Sequence, residues 1–135
     1  MKITLKSGAF APERAHATDA GLDLRTTMPF EIAPFGMTII DTGVCLALPA
    51  GTMGMIRSKS GLMACGITAD GTIDEGYRGS IRVVLFNHTP NRMRFLAGDK
   101  IAQLVIAPVL YVQTEMVKAL DETERGENGF GSTGR

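Results

Sequence analysis

The chain of 135 residues has no tryptophan, only two cysteines and few aromatic residues, which make up 6% of the sequence. Cys45 and Cys65 are too few for a disulfide framework, and their spacing matches no zinc-binding pattern. We therefore predict that both are small buried thiols of a protein in a reducing compartment.

The chain also lacks an excess of either charge, since 14 basic residues balance 14 acidic ones. A balanced chain has no general electrostatic attraction for duplex nucleic acid or for an anionic membrane, so any phosphate should be bound at a local site. No apolar run is long enough to span a membrane, and the N-terminal MKITLKSGAF has no signal-peptide core. We expect a cytoplasmic protein that binds neither membranes nor nucleic acid directly.

Turn-forming residues are abundant instead: 16 glycines and 6 prolines separate short segments rich in β-branched and aliphatic residues. The segments SIRVVLFN and KIAQLVIAPV are apolar almost throughout, which is typical of strands buried on both faces. Only SGLMAC indicates a helix, of one or two turns. We predict an all-β fold, a barrel or jelly-roll-like sandwich, whose further strands are KITLK, MTIIDT, VCLALP, GMIR and YVQTEMV.

The composition changes near Asp121, where the sequence becomes polar and rich in glycine. We predict one β domain over residues 1–120 and a mobile C-terminal arm over residues 121–135.

Two polar segments carry groups that bind metals or phosphate. In AGLDL, Asp23 alternates with two leucines, so its carboxylate either lies on a solvated outer face or stands beside a divalent cation. The segment RSKSGL (57–62) places two cations and two hydroxyls before the short helix. It forms either a surface turn with a serine cap or an anion-binding nest of backbone N–H groups. No P-loop pattern occurs.

Two further segments carry groups that suit a base or a phosphate. GTIDEGYRG (71–79) predicts a hairpin, either a plain edge hairpin or a slot where a flat base pairs with free backbone groups beside Asp74 and Tyr77. In GDKIAQL (98–104), Gln103 interrupts an apolar strand. A buried amide needs partners, which are either backbone groups of the core or a ligand.

The tail RGENGFGSTGR (125–135) combines free backbone donors with Arg125, Ser132 and Thr133, around the single aromatic residue Phe130. Its composition allows two interpretations. The tail is either plainly disordered, or it is an arm that folds over a polyphosphate while Phe130 lies on a base.

In this order, AGLDL, SGL, GTIDEGYRG, GDKIAQL and RGENGFGSTG resemble the five motifs of the trimeric dUTPases (dUTP diphosphatases). The resemblance extends from about residue 17 to the C-terminus. It implies a jelly-roll-like dUTPase barrel, a homotrimer, and hydrolysis of dUTP to dUMP and pyrophosphate with Mg²⁺ bound to the triphosphate. Such a reaction keeps uracil out of DNA and supplies dUMP for dTMP synthesis.

The resemblance also implies roles for matching residues. Asp74 would activate the water that attacks the α-phosphorus, Tyr77 would stack on the deoxyribose and exclude a 2′-hydroxyl, and Asp23 would touch the Mg²⁺ site through water. The backbone of residues 66–73 would read the uracil edge. The other substrate-binding residues implied are Lys59, Ser60, Gly61, Gly71, Ile73, Gln103, Arg125, Phe130, Gly131, Ser132 and Thr133.

Several alternatives stay open. Where the family has an arginine before Ser-Gly-Leu, either Lys59 takes its place or Arg57 reaches in. The rival enzyme is dCTP deaminase, a relative of the same fold that has a glutamate where this chain has Val84. A nucleotide-sensing protein without activity is the other rival, and the intact Asp74–Tyr77 pair counts against it.

Overall fold

The computed structural model describes residues 1–129, which form short antiparallel strands and one short helix. The all-β prediction and the helix at SGLMAC are confirmed. The elements are β1 (Lys2–Leu5), β2 (Gly21–Arg25), β3 (Phe30–Ile32), β4 (Met37–Ala47), β5 (Thr52–Arg57), α1 (Ser60–Ala64), β6 (Ile67–Ile73), β7 (Ser80–Asn87), β8 (Met93–Phe95) and β9 (Lys100–Pro108).

Seven strands form one sheet in the order β1-β4-β7-β6-β5-β9-β2, and β3 pairs with β8 in a second sheet. The sheets curl around an aliphatic core, as in a jelly-roll-like barrel. Phe30 and Phe95 stack with ring centroids 4.6 Å apart and join the small sheet to that core. The largest fully buried side chains include Leu24, Ile32, Ile56, Ile67, Ile81, Leu85, Ile101 and Leu104.

The two long apolar strands differ in their burial. SIRVVLFN forms β7 over its whole length, but Arg82 and Phe86 are exposed while their neighbours are buried. The prediction of burial on both faces is therefore wrong for β7, because successive side chains of a strand face opposite sides and only one side of β7 meets the core. Strand β9 has no exposed residue before Pro108.

The predicted strand YVQTEMV is also wrong, since residues 109–129 contain neither strand nor helix. Its alternating pattern needs a neighbouring strand, and none of the described strands pairs with it. Its apolar side chains stay exposed, as at Met116 (97%) and Val112 (77%).

The prediction of two buried thiols is wrong as well. Cys45 is half-buried on β4, opposite Thr4 of the edge strand β1. Cys65 is exposed because it ends α1, a helix with no buried residue. Among residues 1–129, no helix has both the length and the apolar character that crossing a membrane requires.

Candidate active site

Strand register brings three of the predicted segments to one end of the large sheet. Arg57 at the end of β5 lies opposite Gln103 of β9, and Gln103 lies opposite Asp23 of β2. The helix α1 begins just beyond β5 at Ser60. The segments AGLDL, RSKSGL and GDKIAQL therefore converge at this end, as a shared binding site requires.

A cleft of about 500 Å³ opens between this end of β5, the helix α1 and the start of β6. The first helical N–H groups, from Ser60 to Leu62, have no partner within the helix, and the first helical bond runs from Met63 N to Lys59 O (2.9 Å). The cleft is lined by Arg57, Ser58, Ser60, Met63, Thr68, Ala69, Asp70 and Gln103. Hydroxyl groups, an amide and the Arg57 cation thus surround a space that can accept an anion, and the one carboxylate of the lining, Asp70, lies beside Arg57.

Asp23 is buried, which excludes the solvated outer face, one of the two alternatives for its carboxylate. Its Oδ1 accepts a short hydrogen bond from Lys59 Nζ, and its Oδ2 lies 2.6 Å from Lys100 Nζ. Burial alone would raise the pKa of Asp23, but the hydrogen bonds and charges of Lys100 and Lys59 outweigh burial and hold the pKa below its usual value. The charged carboxylate of Asp23 therefore links β2 to the start of β9 through Lys100 and to the turn before α1 through Lys59.

The described residues do not build a metal cage. Within residues 1–129 no three acidic, histidine or cysteine side chains gather closely enough to hold a metal ion. Both oxygens of Asp23 already face ammonium groups, so a direct bond from Asp23 to Mg²⁺ does not fit this arrangement. The role of Asp23 through a water molecule stays a prediction.

The two candidate cations before Ser60 lie in different places. Arg57 lines the cleft, and its Nη1 is 3.5 Å from Asp70 Oδ1 on the exposed surface. Lys59 turns to Asp23 and is only 28% exposed. Arg57 is therefore the cation at the cleft wall, and Lys59 stands beside it in an ion pair.

Gln103 is positioned by Ser58, which bonds to its amide, and by Gly21, which leaves space for it. Its Nε2 donates to the carbonyl oxygen of Ser58 (3.1 Å), and the Ser58 hydroxyl bonds both the N–H and the C=O of Ala69 on β6. A Cβ at Gly21 would lie 2.3 Å from Gln103 Oε1, so the amide uses the space that this glycine leaves. The glycine of AGLDL was the one sign in the sequence that another group packs closely against β2 at this point.

Asp74 and Tyr77 lie on the turn between β6 and β7, away from the cleft. The Asp74 carboxylate is exposed and bonds to no other side chain in the described part of the chain. The turn is tied by a bond from Tyr77 N to Asp74 O (3.0 Å) and by one from Tyr77 Oη to Ser80 O (3.1 Å). A carboxylate on a restrained turn can accept a proton from a bound water.

Glu75 fastens the same turn to two other parts of the chain. Its Oε2 accepts bonds from Gly51 N (2.8 Å) and from Tyr111 Oη (2.7 Å). The bond from Tyr111 and that from Gly51 lower the pKa of Glu75, and the same contact with Glu75 raises the pKa of Tyr111. The turn that carries Asp74 and the start of the C-terminal segment are thereby joined.

Strands β6 and β7 open into a slot beside this turn. They pair only from Ile67 to Asp70, whereas β7 continues to pair with β4 on its other side. Gly71 and Thr72 are exposed, so the backbone after Asp70 faces a gap on its β7 side. The backbone groups that remain free toward β7 belong to residues 71–73, a shorter stretch than residues 66–73.

One chain does not bring the slot and the cleft together. On β5, Arg57 lies opposite both Asp70 and Gln103, whereas Gly54 lies opposite Ile73. These two rows are three strand positions apart, and Asp74 lies one position beyond Ile73. At the usual rise per strand residue, Asp74 is about 13 Å beyond the row of Gln103 along the strands.

The predicted residues of the tail are described only in part. Arg125 is exposed, and its Nε donates to the carbonyl oxygen of Asn128 (3.0 Å), so it contacts neither the slot nor the cleft. Phe130, Gly131, Ser132 and Thr133 lie outside the described residues.

The chain is similar to known proteins over nearly its whole length. The family model dUTPase matches residues 8–134. A deoxyuridine 5′-triphosphate nucleotidohydrolase from Gloeothece citriformis is 44% identical over 139 residues, covering 99% of this chain and 96% of that protein. The structure of a Staphylococcus bacteriophage 80alpha dUTPase mutant with dUpNHpp is similar at a TM-score of 0.91 and 28% identity, covering 99% of this chain and 98% of the other.

A dUTPase mutant from phage phi11 of S. aureus, described with a structural Mg(II) ion, is similar at a TM-score of 0.80 and 26% identity, covering 87% of this chain and 96% of the other. Because the family model and the relatives span nearly the full length of both proteins, the chain belongs to the dUTPase family.

Proposed function

We propose that this protein hydrolyses dUTP to dUMP and pyrophosphate, with Asp74 as the general base. The observation that carries the proposal is the exposed Asp74 carboxylate, on a tied turn that borders the slot between β6 and β7. A dUTP molecule whose base occupied that slot would have its α-phosphorus near the turn. Asp74 would then orient and deprotonate the attacking water, and pyrophosphate would leave.

Selection of deoxyuridine would use the slot and Tyr77. The free backbone of residues 71–73, with Gly71 and Ile73, would pair with the uracil edge, and a cytosine would present mismatched donors there. Tyr77 is 42% exposed beside the slot, so its ring can form the wall against which deoxyribose packs. A 2′-hydroxyl would meet that wall.

The triphosphate would be bound in the cleft. The N–H groups of Ser60 and Gly61 and the amide of Gln103 would supply donors, Arg57 at the cleft wall would supply positive charge, and Lys59 would support it from its ion pair with Asp23. Neutralisation of the triphosphate charge would come from Mg²⁺ carried by the substrate, since Mg²⁺ commonly binds through phosphates and water with few protein ligands. We further propose that residues 121–135 form a mobile arm that closes over the site with Arg125, Phe130, Gly131, Ser132 and Thr133.

A homotrimer would join the two halves of the site, with the slot of one chain facing the cleft of another. The separation of Asp74 from Gln103 within one chain supports this assembly. So do unpartnered apolar side chains on the outer face of β4 and β7, where Met37 and Ile39 are each 54% exposed and Phe86 is 40% exposed. Closed cyclic symmetry would give equivalent shared sites.

Deamination of dCTP fits less well. The position where the deaminase relative has a glutamate is Val84 here, a half-buried residue opposite Ile39 and Asp70. Its aliphatic side chain cannot carry a proton. The cytoplasm is the compartment we propose for the enzyme, since the free thiols Cys45 and Cys65 would stay reduced there.

The test is a panel of dUTP, UTP, dTTP and dCTP, assayed for pyrophosphate and for ammonia with Mg²⁺ and with EDTA. We expect pyrophosphate from dUTP alone, without ammonia, and loss of activity in EDTA. Comparable turnover of UTP or dCTP would contradict the proposed slot and wall. Full activity in EDTA would remove the metal from the reaction.

A further inference from the structure

The ring of Tyr77 lies directly over Gly79. A Cβ added to Gly79 would be 2.3 Å from Tyr77 Oη, 2.6 Å from Cζ and 3.0 Å from Cε2. These three atoms belong to one rigid aromatic group, so no small side-chain adjustment relieves all of them. The observed position of the ring is compatible only with glycine at residue 79.

Space, and not backbone conformation, explains the need for this glycine. Gly79 is absent from the glycines with positive φ, so its backbone lies in a region open to other residues. The same ring is restrained from its hydroxyl end, where Oη donates to the carbonyl oxygen of Ser80 (3.1 Å). Gly79 below the ring and Ser80 at its tip together define where the ring stands.

We propose that Gly79 is a specificity-determining residue: it seats the Tyr77 ring at the height that excludes a 2′-hydroxyl from the sugar site. The inference rests on the role of Tyr77 in the proposed function. An alanine at residue 79 would push the ring outward and break its bond to Ser80. Because Tyr77 is 42% exposed and outside the buried core, the ring can move without unfolding the chain.

The experiment compares Gly79→Ala with Gly76→Ala in the full-length protein. Gly76 belongs to the same turn, has no atom within 4 Å of an added Cβ and lacks a positive φ, so it is a matched control. We expect the ratio of kcat/KM for dUTP to that for UTP to fall about tenfold or more in Gly79→Ala, a change typical of altered packing around one group. The ratio in Gly76→Ala should stay near that of the wild type.

A spectroscopic signature reports the ring itself. The chain has no tryptophan and two tyrosines, so in a Tyr111→Phe background the tyrosine fluorescence comes from Tyr77 alone. Gly79→Ala should increase quenching of that fluorescence by acrylamide, and Gly76→Ala should not. Unchanged quenching or an unchanged dUTP/UTP ratio in Gly79→Ala overturns the inference.

Tyr77→Ala separates this inference from the proposed function. If Tyr77→Ala keeps full discrimination, the proposed role of Tyr77 is wrong. If Tyr77→Ala loses discrimination and Gly79→Ala keeps it, only the seat at Gly79 is wrong. Should Gly79→Ala fail to fold, the double variant with Tyr77→Ala decides. If the double variant folds and has the dUTP/UTP ratio of Tyr77→Ala, the proposed role of Gly79 is supported. If it stays unfolded, or if its loss of discrimination is the sum of two separate losses, the proposed role of Gly79 is wrong.

Discussion

Replacing Asp23 by asparagine tests whether its carboxylate stabilises the strands and the turn beside the cleft. The Asp23 side chain is 8% exposed and is bonded to Lys59 and Lys100, which are 28% and 36% exposed. Asp23→Asn would leave two ammonium groups facing each other around a neutral amide. Removing one partner of a buried ion pair costs about 3–5 kcal/mol. Because both lysines can turn partly into water, we expect a loss of about 3 kcal/mol in the free energy of unfolding.

The assay is urea unfolding at one fixed protein concentration, since the stability of an assembly depends on concentration. Glu31→Gln is the matched control because Glu31 also accepts bonds from two cations, Arg92 (2.8 Å) and Arg94 (2.7 Å), but its side chain is 39% exposed. Exposed pairs contribute less than about 1 kcal/mol. Equal losses in the two variants, or a loss below about 1 kcal/mol in Asp23→Asn, would refute the reasoning.

Two further predictions concern the base and the acid stability of the fold. Asp74→Asn should lower kcat by about 10²–10⁴-fold with little effect on dUTP binding. Asp19→Asn, at a partly exposed carboxylate that accepts a bond from His16 N, should not lower kcat. A refolded mixture of Asp74→Asn chains and Gln103→Ala chains should regain part of the activity if each site is built from two chains. No recovery in the mixture would contradict sites shared between chains. Hydrogen bonds from Ser80 and then Lys6 lower the pKa of Asp41 from 3.8 to about 2, so its contribution to stability is present above pH 4 and lost as the pH falls toward 2. Because Asp41 is 44% exposed, the unfolding free energies of wild type and Asp41→Asn should differ by only about 1 kcal/mol at pH 7 and converge near pH 2, and a constant difference would contradict the shift.

Local patterns predicted β1, β5, β7 and β9, but they missed the short paired strands β3 and β8 and divided β4 into MTIIDT and VCLALP. SIRVVLFN was recognised over its full length because its β-branched residues lie between turn formers. YVQTEMV has a similar local pattern but no strand beside it, and a period of two does not reveal whether a neighbour exists. A local pattern also failed to show that one face of β7 is exposed, because that face carries the apolar Phe86 where a polar residue would usually mark exposure.

The site could be predicted as a set of residues but not as an arrangement. Motif order indicated Asp74, Ser60 and Gln103, whereas the pairing of Asp23 with two lysines depends on the register of β2 and β9. Gly21 and Gly79 illustrate the limit most clearly. Each is visible in the sequence only as a missing side chain. Gln103 fills the space at Gly21 because of the register of β2 and β9, and Tyr77 fills the space at Gly79 because of the conformation of the turn.

The separation of slot and cleft changes how any substitution in this family member should be interpreted. Ile73 and Gln103 lie opposite Gly54 and Arg57 of β5, and Asp74 follows Ile73 on the turn, so the described chain does not bring Asp74 and Gln103 to one phosphate. Under the proposed assembly, a change at Gln103 acts on the substrate whose base lies in another chain's slot. A variant that weakens contacts between chains would then lower activity while leaving every catalytic residue and its local hydrogen bonds intact. Activity and assembly therefore have to be measured on the same sample before a loss of turnover is assigned to a residue of the site.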